Sequence, residues 1–277
     1  MTTTALRAGW DRGVIELRQS FTNGADLWGH FFWPLLMVGV TFYLRDKTFG
    51  GFQLGALALP SILGMNASMA MVSMSQQLTA DREDGTLLRA KATPNGLVVH
   101  LVGKIISVSG GLVVDLGIFL VPALVLVPGL AVGGASWVTL GWVLVLGLAA
   151  ALPIGAVLGS VFTSTRSQGL LTLPILGLIG ISGIFYPVSA LPGWVQGVAQ
   201  VFPVYWMGLG MRSALLPDGA VVVEIGESWR WVETVGVLGA WAVVGMVVAP
   251  VVLRRMARRE SGSSVAGRRE KAMQRVG

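Results

Sequence analysis

The stretch DREDGTLLRAKATP, residues 81–94, is the most polar part of a chain that is otherwise strongly apolar. It separates two long apolar runs, at about 54–78 and 104–127. Each run is long enough to cross a bilayer as a helix, which takes roughly 20 apolar residues. A short charged segment between two candidate spans indicates a loop of a membrane protein, and the rest of the chain is interpreted around it.

The composition agrees with a membrane-embedded chain. Of 277 residues, 53% are hydrophobic and 12% are charged, and the mean hydropathy is +0.71. A soluble domain of this length does not need so much apolar surface to fill its core. The chain has no cysteine, which excludes disulfides, thiol nucleophiles and cysteine-ligated metals. We expect no catalytic or metal site, and we place the two histidines, His30 and His100, at membrane interfaces.

Six apolar runs meet the length requirement for membrane spans. We therefore predict an all-α, polytopic fold with six transmembrane helices. The second run is the least hydrophobic because four serines and Asn66 interrupt it, so we expect it to face other helices more than lipid. The predicted spans are about 27–44, 54–78, 104–127, 137–161, 169–186 and 232–253.

The positions of the basic residues predict the orientation. Cytoplasmic loops carry an excess of Lys and Arg. With the N-terminus inside, 16 of the 20 Lys and Arg residues fall on the cytoplasmic side. We expect both termini in the cytoplasm of a bacterium and the chain in its plasma membrane. Because the net charge of +6 follows this topology, no nucleic-acid partner is predicted.

The sequence predicts different structures for the two ends of the chain. Residues 5–21 place apolar side chains at helical spacing, which predicts an amphipathic helix on the membrane surface. Residues 261–277 form a basic tail that we expect to be disordered; it either attracts anionic lipid headgroups or is simply an unstructured end. The apolar positions of the N-terminal helix are Leu6, Trp10, Val14, Leu17 and Phe21.

A long connection, residues 187–231, separates the fifth and sixth predicted spans on the outside. Its segments 187–203 and 204–216 are each too short to span, and prolines break them into helical pieces. A re-entrant helical hairpin in the outer leaflet, anchored by aromatic rings, satisfies both facts. It either gates the outer exit or only plugs it. The hairpin residues are Tyr186, Pro187, Pro192, Trp194, Pro203, Tyr205 and Trp206.

Asp115 is the single acid deep in a predicted span. It lies about 16 Å along a helix from Lys104, near mid-bilayer. Insertion of an ionised aspartate there costs on the order of 2.5–3.5 kcal/mol, so a partner must offset the charge. Asp115 either lines a pathway for a cationic substrate, or has a structural role as a protonated or hydrogen-bonded group.

The region around residues 81–104 resembles the membrane subunits of type-2 ABC exporters, including drug-resistance permeases of the daunorubicin type. That family carries E-R-E-x-G-T-L-E-x-L-x-x-T-P and then a G-K that opens the third span. The chain departs from it at Leu88, Ala90 and Lys91. Segment 182–216 is similar to a second family motif, with F-x-P, L-P-x-W and R-x-x-L. The matching residues of the first motif are Asp81, Arg82, Glu83, Gly85, Thr86, Leu87, Thr93, Pro94, Gly103 and Lys104.

This resemblance implies a transmembrane domain over residues 1–260 that forms one permease half of an exporter for hydrophobic drugs or lipid-like molecules. A second permease, identical or paralogous, and two ABC ATPase subunits would complete the assembly. A coupling helix, about residues 79–93, would dock into a groove of the ATPase. The coupling residues implied are Asp81, Arg82, Glu83, Asp84, Gly85, Thr86, Leu87, Arg89, Thr93 and Pro94.

The chain itself should hold no cofactor and hydrolyse no ATP. It lacks a Walker A sequence, since Ile105 follows Gly103-Lys104 where a Ser or Thr would coordinate Mg²⁺. ATP and Mg²⁺ would be bound by the partner subunit.

Three other interpretations remain open from the sequence. Residues 81–84 could be a solvated loop whose charges only satisfy topology. A secondary transporter driven by an ion gradient could use Asp115, although inverted repeats are not apparent. An intramembrane enzyme would need a constellation of acids, bases or metal ligands that the spans do not offer.

Overall fold

Long helices make up most of the chain. The computed structural model describes residues 3–49, 52–130, 132–162, 165–184 and 186–259. The all-α prediction is confirmed, with one antiparallel pair of two-residue strands, β1 (Thr48–Phe49) and β2 (Phe52–Gln53). The helices are α1 (Thr3–Ser20), α2 (Gly24–Leu44), α3 (Leu54–Glu83), α4 (Thr86–Lys91), α5 (Gly96–Leu126), α6 (Gly134–Val161), α7 (Thr165–Ile181), α8 (Gly193–Val201), α9 (Pro203–Leu215) and α10 (Trp231–Arg259).

Five helices of the described chain are long and apolar enough to cross a membrane: α2, α3, α5, α6 and α10. They coincide with five of the six predicted spans. At the remaining predicted span, 169–186, the helix α7 has 17 residues and its apolar part is the shorter stretch Thr172–Ile181. The basic tail, 261–277, lies outside the described residues.

Helix α3 lies at the centre of the bundle. Of its apolar window, 67% is buried, against 11% for α2 and 22% for α10. The expectation that this polar span faces other helices is therefore confirmed. Its serines are compatible with burial because their hydroxyls bond to carbonyls one turn back: Ser61 donates to Leu57 at 3.0 Å and Ser68 to Gly64 at 2.8 Å.

Small residues let α6 approach α3 closely. A Cβ on Gly155 would collide with the Met71 carbonyl oxygen, and one on Gly159 would lie 2.8 Å from the carbonyl oxygen of Ser75. Glycines four residues apart form one face of a helix, and their lack of side chains allows backbone contact between helices. Close contact between α3 and α6 therefore fixes the C-terminal halves of the two helices relative to each other.

Helix α1 lies along the first half of α5 and runs in the same direction. Gly9 meets Val102 and Gly13 meets Ile106, so the contact advances by four residues on both helices. The face in contact contains the small residues Ala5, Gly9 and Gly13, and of the predicted apolar face Leu17 also packs against α5, at Gly110. Leu6 and Trp10 instead remain exposed, at 43% and 57%. If α5 crosses the membrane, α1 extends alongside its first turns.

Candidate functional site

The polar segment that follows α3 contains two helical pieces and a turn. We call residues 79–95 the connector. Helix α3 continues to Glu83, five residues beyond the predicted end of the span, and α4 begins at Thr86. Gly85 lies between them with φ of +80°, a left-handed conformation that glycine adopts without strain. The coupling helix that the family resemblance implied over about 79–93 is therefore broken at Gly85.

Helix α4 has a buried face and a charged face. Leu87 and Ala90 are buried, whereas Arg89 and Lys91 are exposed. The Asp84 carboxylate accepts a hydrogen bond of 2.7 Å from the Thr86 amide and so caps the first turn. After α4 a turn at Pro94 and Asn95, both exposed, leads into α5.

Asp81 belongs to a buried charge cluster rather than to the exposed surface. Its carboxylate Oδ2 lies 3.1 Å from Nζ of Lys104 and 3.3 Å from Nε2 of His100. Nζ of Lys104 also lies 3.0 Å from Oε2 of Glu16 in α1. Arg12 completes the cluster with a contact of 2.8 Å to Glu16. One ammonium is thus shared by carboxylates from α1 and α3.

Two buried carboxylate oxygens of this cluster, Oδ2 of Asp81 and Oε2 of Glu16, meet Lys104 at ion-pair distance without an aligned hydrogen bond from the described residues. Buried carboxylates need such a counter-charge, because the loss of water is costly for an ion. His100 is fully buried within the protein here, and its position at a membrane interface stays a prediction.

Arg82 connects the connector to the end of α6. Its Nη1 donates to the carbonyl oxygens of Ser160 and Phe162, at 2.9 and 2.8 Å. Thr79 donates to the Gly159 carbonyl at 3.2 Å. The last carbonyls of a helix have no partner within it and carry partial negative charge, which a guanidinium satisfies. The C-terminal end of α6 is therefore bonded to α3.

The sequence-predicted coupling residues consequently divide into two groups. Asp81 and Arg82 are buried and bind α5 and the end of α6, and Lys104 joins Asp81 to Glu16 of α1. Asp84, Arg89, Thr93 and Pro94 are exposed; Thr93 donates to the Ala90 carbonyl at 3.0 Å. The buried members at or beyond the turn are Gly85 and Leu87, and the half-buried ones are Glu83 and Thr86.

The segment between α7 and α9 has short helices that begin where prolines stand. Pro187 precedes a 3₁₀ turn, Val188–Ala190, and Pro192 precedes α8. Pro203 is the first residue of α9, a position where its missing amide hydrogen costs nothing. The segment therefore has the short, broken helical pieces that the sequence predicted.

Only two of the four aromatic residues expected at the membrane interface are exposed. Trp194 and Tyr186 are 75% and 41% exposed. Tyr205 and Trp206 are buried instead, because α9 packs against α3 and α6 with both rings inside the bundle. The Trp206 indole donates to the Gln200 carbonyl at 2.7 Å.

A buried ion pair holds this segment together, and the sequence did not indicate it. Arg212 contacts Glu224 through two nitrogens, with Nε–Oε1 of 2.5 Å and Nη2–Oε2 of 3.1 Å. Its Nη1 also donates to the Gly183 carbonyl at 3.1 Å. The paired geometry is the strong, directional form of a guanidinium–carboxylate contact. Arg212 stands in the R-x-x-L part of the second motif, but nothing in the sequence marked Glu224 as its partner.

Asp115 is paired with a histidine. Its Oδ1 lies 2.5 Å from Nδ1 of His30 in α2, and Nε2 of that ring lies 3.2 Å from the Ser20 hydroxyl. The sequence indicated no specific partner for Asp115 and placed His30 at an interface, so the pair was missed. His30 and Asp115 are 85 residues apart, which explains why spacing gave no signal.

The described side chains include no group of three or more His, Cys, Asp or Glu residues that could hold a metal ion. In sum, the chain has apolar helices of membrane-spanning length, a charged connector with one buried and one exposed side, and a proline-broken segment held by an ion pair. These features are those of a polytopic membrane protein with a compact charged loop.

Comparison with known families gives the particular class. The family model described as ABC-2 family transporter protein matches residues 31–249, and the chain belongs to this family. The match supports the ABC-2 type permease suggested by the two motifs. A search among curated proteins finds no match. The chain is thus a membrane permease, and membership of this family implies an ATPase subunit as its partner.

Proposed function

We propose that this chain is one permease half of an ATP-driven exporter, which moves hydrophobic drugs or lipid-like molecules outward across the cytoplasmic membrane. Family membership supports the transport class. The absence of a Walker A sequence from the chain supports a separate ATPase subunit as the site of ATP and Mg²⁺ binding. Two permease halves, identical or paralogous, and two ATPase subunits form the working assembly.

The division of the connector into an exposed and a buried side is the observation that carries the proposal. The exposed side, with Asp84, Arg89 and Lys91, offers charges to a protein groove. The buried side, at the end of α3, is bonded to α5 through Asp81 and to α6 through Arg82, and Lys104 joins Asp81 to Glu16 of α1. A displacement of α4 by the ATPase therefore reaches α5, α6 and α1 through the end of α3, because ion pairs and hydrogen bonds of about 3 Å allow little relative movement.

The topology of the proposal has six spans. Helix α7, extended by flanking residues, serves as the fifth, with the connector inside and residues 187–231 outside. Lys and Arg distribution supports this orientation. Helix α1 lies at the cytoplasmic membrane surface beside α5, where its exposed Leu6, Trp10 and Ile15 contact lipid.

The outer segment forms the re-entrant hairpin of the proposal, with α8 and α9 as its arms. Exposed Trp194 and Tyr186 suit the lipid–water interface. Buried Tyr205 and Trp206 supply the protein contacts that a broken helix requires at membrane depth. The Arg212–Glu224 pair holds the hairpin against the end of α7, so we assign to it the closed state of the outer exit.

Reconstitution with the ATPase tests this function. The purified chain and an ABC ATPase encoded beside it are placed in proteoliposomes, and ATP-dependent movement of a hydrophobic dye is measured. The double charge reversal Glu83→Lys with Asp84→Lys should abolish co-purification with the ATPase and lower transport at least tenfold. The matched control, Asp46→Lys, changes an exposed acid on the opposite side of the membrane and should leave both unchanged.

Two results would contradict the proposal. Unchanged co-purification with the ATPase and unchanged transport in the double variant would contradict a coupling role for the connector. Uptake by the chain alone, driven by an ion gradient and independent of ATP, would instead support a secondary transporter.

A further inference from the structure

A half-open cavity with polar and apolar walls lies beside the His30–Asp115 pair, within the apolar part of the bundle. It has a volume of about 170 Å³ and is lined by α2, α3 and α5 together with the last residue of α1. Its polar lining includes Asn66, Ser73, Gln77 and Asp115. Neither the connector nor the outer hairpin uses these side chains, so they have no role in the coupling described above.

The cavity offers three hydrogen-bond acceptors, one each from Asn66, Gln77 and Asp115, beside hydroxyl groups such as that of Ser107, which can donate or accept. Asn66 uses its amide nitrogen on the Ile62 carbonyl, 3.0 Å away; because a carbonyl can only accept, this contact leaves Oδ1 of Asn66 available. Gln77 directs its nitrogen to the Ser73 hydroxyl at 3.3 Å, which leaves Oε1. Asp115 shares Oδ1 with His30 and retains Oδ2. None of these three oxygens has a further hydrogen-bond partner among the residues that the structure describes.

The volume limits what can enter. Sites that enclose a whole drug-sized molecule have volumes of about 300–1,000 Å³. A cavity of 170 Å³ accommodates a small headgroup with its first methylenes, while a longer apolar tail must lie outside it. Met69, Val108 and Leu112 at the cavity wall provide apolar surface for the beginning of such a tail.

We propose that this cavity binds the primary ammonium headgroup of an amphiphile, with Asp115 as counter-ion and the oxygens of Asn66 and Gln77 as acceptors for its N–H bonds. An ammonium is the headgroup that matches these features, since it brings three donors and one positive charge to a site with free acceptors and a carboxylate. The assignment of this amine as cargo rests on the proposed export function; the binding itself does not.

Binding of radiolabelled dodecylamine to the purified chain in phosphatidylcholine nanodiscs tests the site. The native protein should bind it saturably above the level of empty discs. Dodecyltrimethylammonium has the same charge and tail but no N–H bond, so it should compete about tenfold or more weakly. Equal competition by dodecyltrimethylammonium and by unlabelled dodecylamine would overturn the proposal. It would show that charge and apolar partitioning alone account for the binding.

Two variants locate the site. Asp115→Asn should weaken dodecylamine binding about tenfold or more, and the control Asp46→Asn, at an exposed acid outside the cavity, should leave it unchanged. Asn66→Leu suits a membrane helix and removes one acceptor, so a variant that elutes as a monodisperse protein should bind roughly threefold to tenfold more weakly. Native affinity in both cavity variants would overturn the proposal.

Two sources could supply such a headgroup, a free amine or an aminophospholipid of the bilayer. Nanodiscs containing phosphatidylethanolamine distinguish them: competition with dodecylamine in the native protein and not in Asp115→Asn identifies the lipid, and unchanged binding identifies the free amine. The assay contains no ATPase. Amine binding without ATP-driven transport would therefore contradict the export function alone, and transport without amine binding would contradict this site alone.

Discussion

Replacement of Lys104 by methionine should destabilise the protein, because it leaves two carboxylates without their shared cation. At 3.1 Å and an effective dielectric constant of about 20, the attraction between Lys104 and Asp81 is on the order of 5 kcal/mol, and desolvation offsets much of it. Removing one partner of a buried pair typically costs about 3–5 kcal/mol. Since Glu16 is partly exposed and His100 stays near Asp81, we expect a loss of about 3 kcal/mol.

The assay is thermal unfolding in detergent, followed by the fraction of monodisperse protein after heating. A loss of this size should lower the melting temperature by roughly 5–10 °C. The double variant Lys104→Met with Asp81→Asn removes both charges and should recover at least half of the loss. Arg89→Met, which removes an exposed cation from α4, is the matched control and should change the melting temperature by about 1 °C or less. Equal effects of Lys104→Met and Arg89→Met, or additive losses in the double variant, would refute the reasoning.

Three further predictions concern the other contacts. Arg82→Met should leave co-purification with the ATPase intact while ATP-driven transport falls at least tenfold, because Arg82 is buried and binds the end of α6; loss of both together would contradict this division. Arg212→Met leaves the buried Glu224 carboxylate without its cation and should lower the free energy of unfolding by about 3 kcal/mol in the same assay. Arg212→Lys keeps the charge and should lower it less; a lysine variant that is less stable than the methionine variant would contradict the role of the ion pair. Gly155→Leu should reduce folded protein severely because α3 occupies the space, and Gly193→Leu, which faces open space, should be tolerated; equal yields would count against the close helix contact.

The fold class and most helices were predictable because apolar length is a direct signal for a membrane helix. The central place of α3 was also predictable, since polar residues such as Asn66 make a span unsuited to lipid. Helix ends were less accurate: α3 and α5 extend beyond their apolar runs, because neighbouring protein and counter-charges stabilise polar turns that hydropathy excludes from a span.

The partners of charged residues were not predictable. The motif located Asp81 and Arg82 correctly on the connector but gave no sign that they are buried. His30 with Asp115, and Arg212 with Glu224, form pairs set by helix packing, which a single sequence does not encode as spacing. Glycine spacing had the same limit, because the pairs Gly155–Gly159 and Gly193–Gly197 are equivalent in sequence, and only the first meets another helix.

A single cysteine at position 89 provides the most direct test of the central claim, that a separate ATPase drives this chain through the exposed side of α4. The chain has no native cysteine, so Arg89→Cys introduces a unique thiol. The variant is assembled with the ATPase in membranes and treated with a short bifunctional thiol–amine crosslinker. We predict a permease–ATPase crosslink that forms with Arg89→Cys and not with a cysteine at Asp46, together with loss of ATP-driven transport once the link has formed. A thiol at position 89 that is labelled only from outside the cell, or that never links to the ATPase in a transporting complex, would contradict the account.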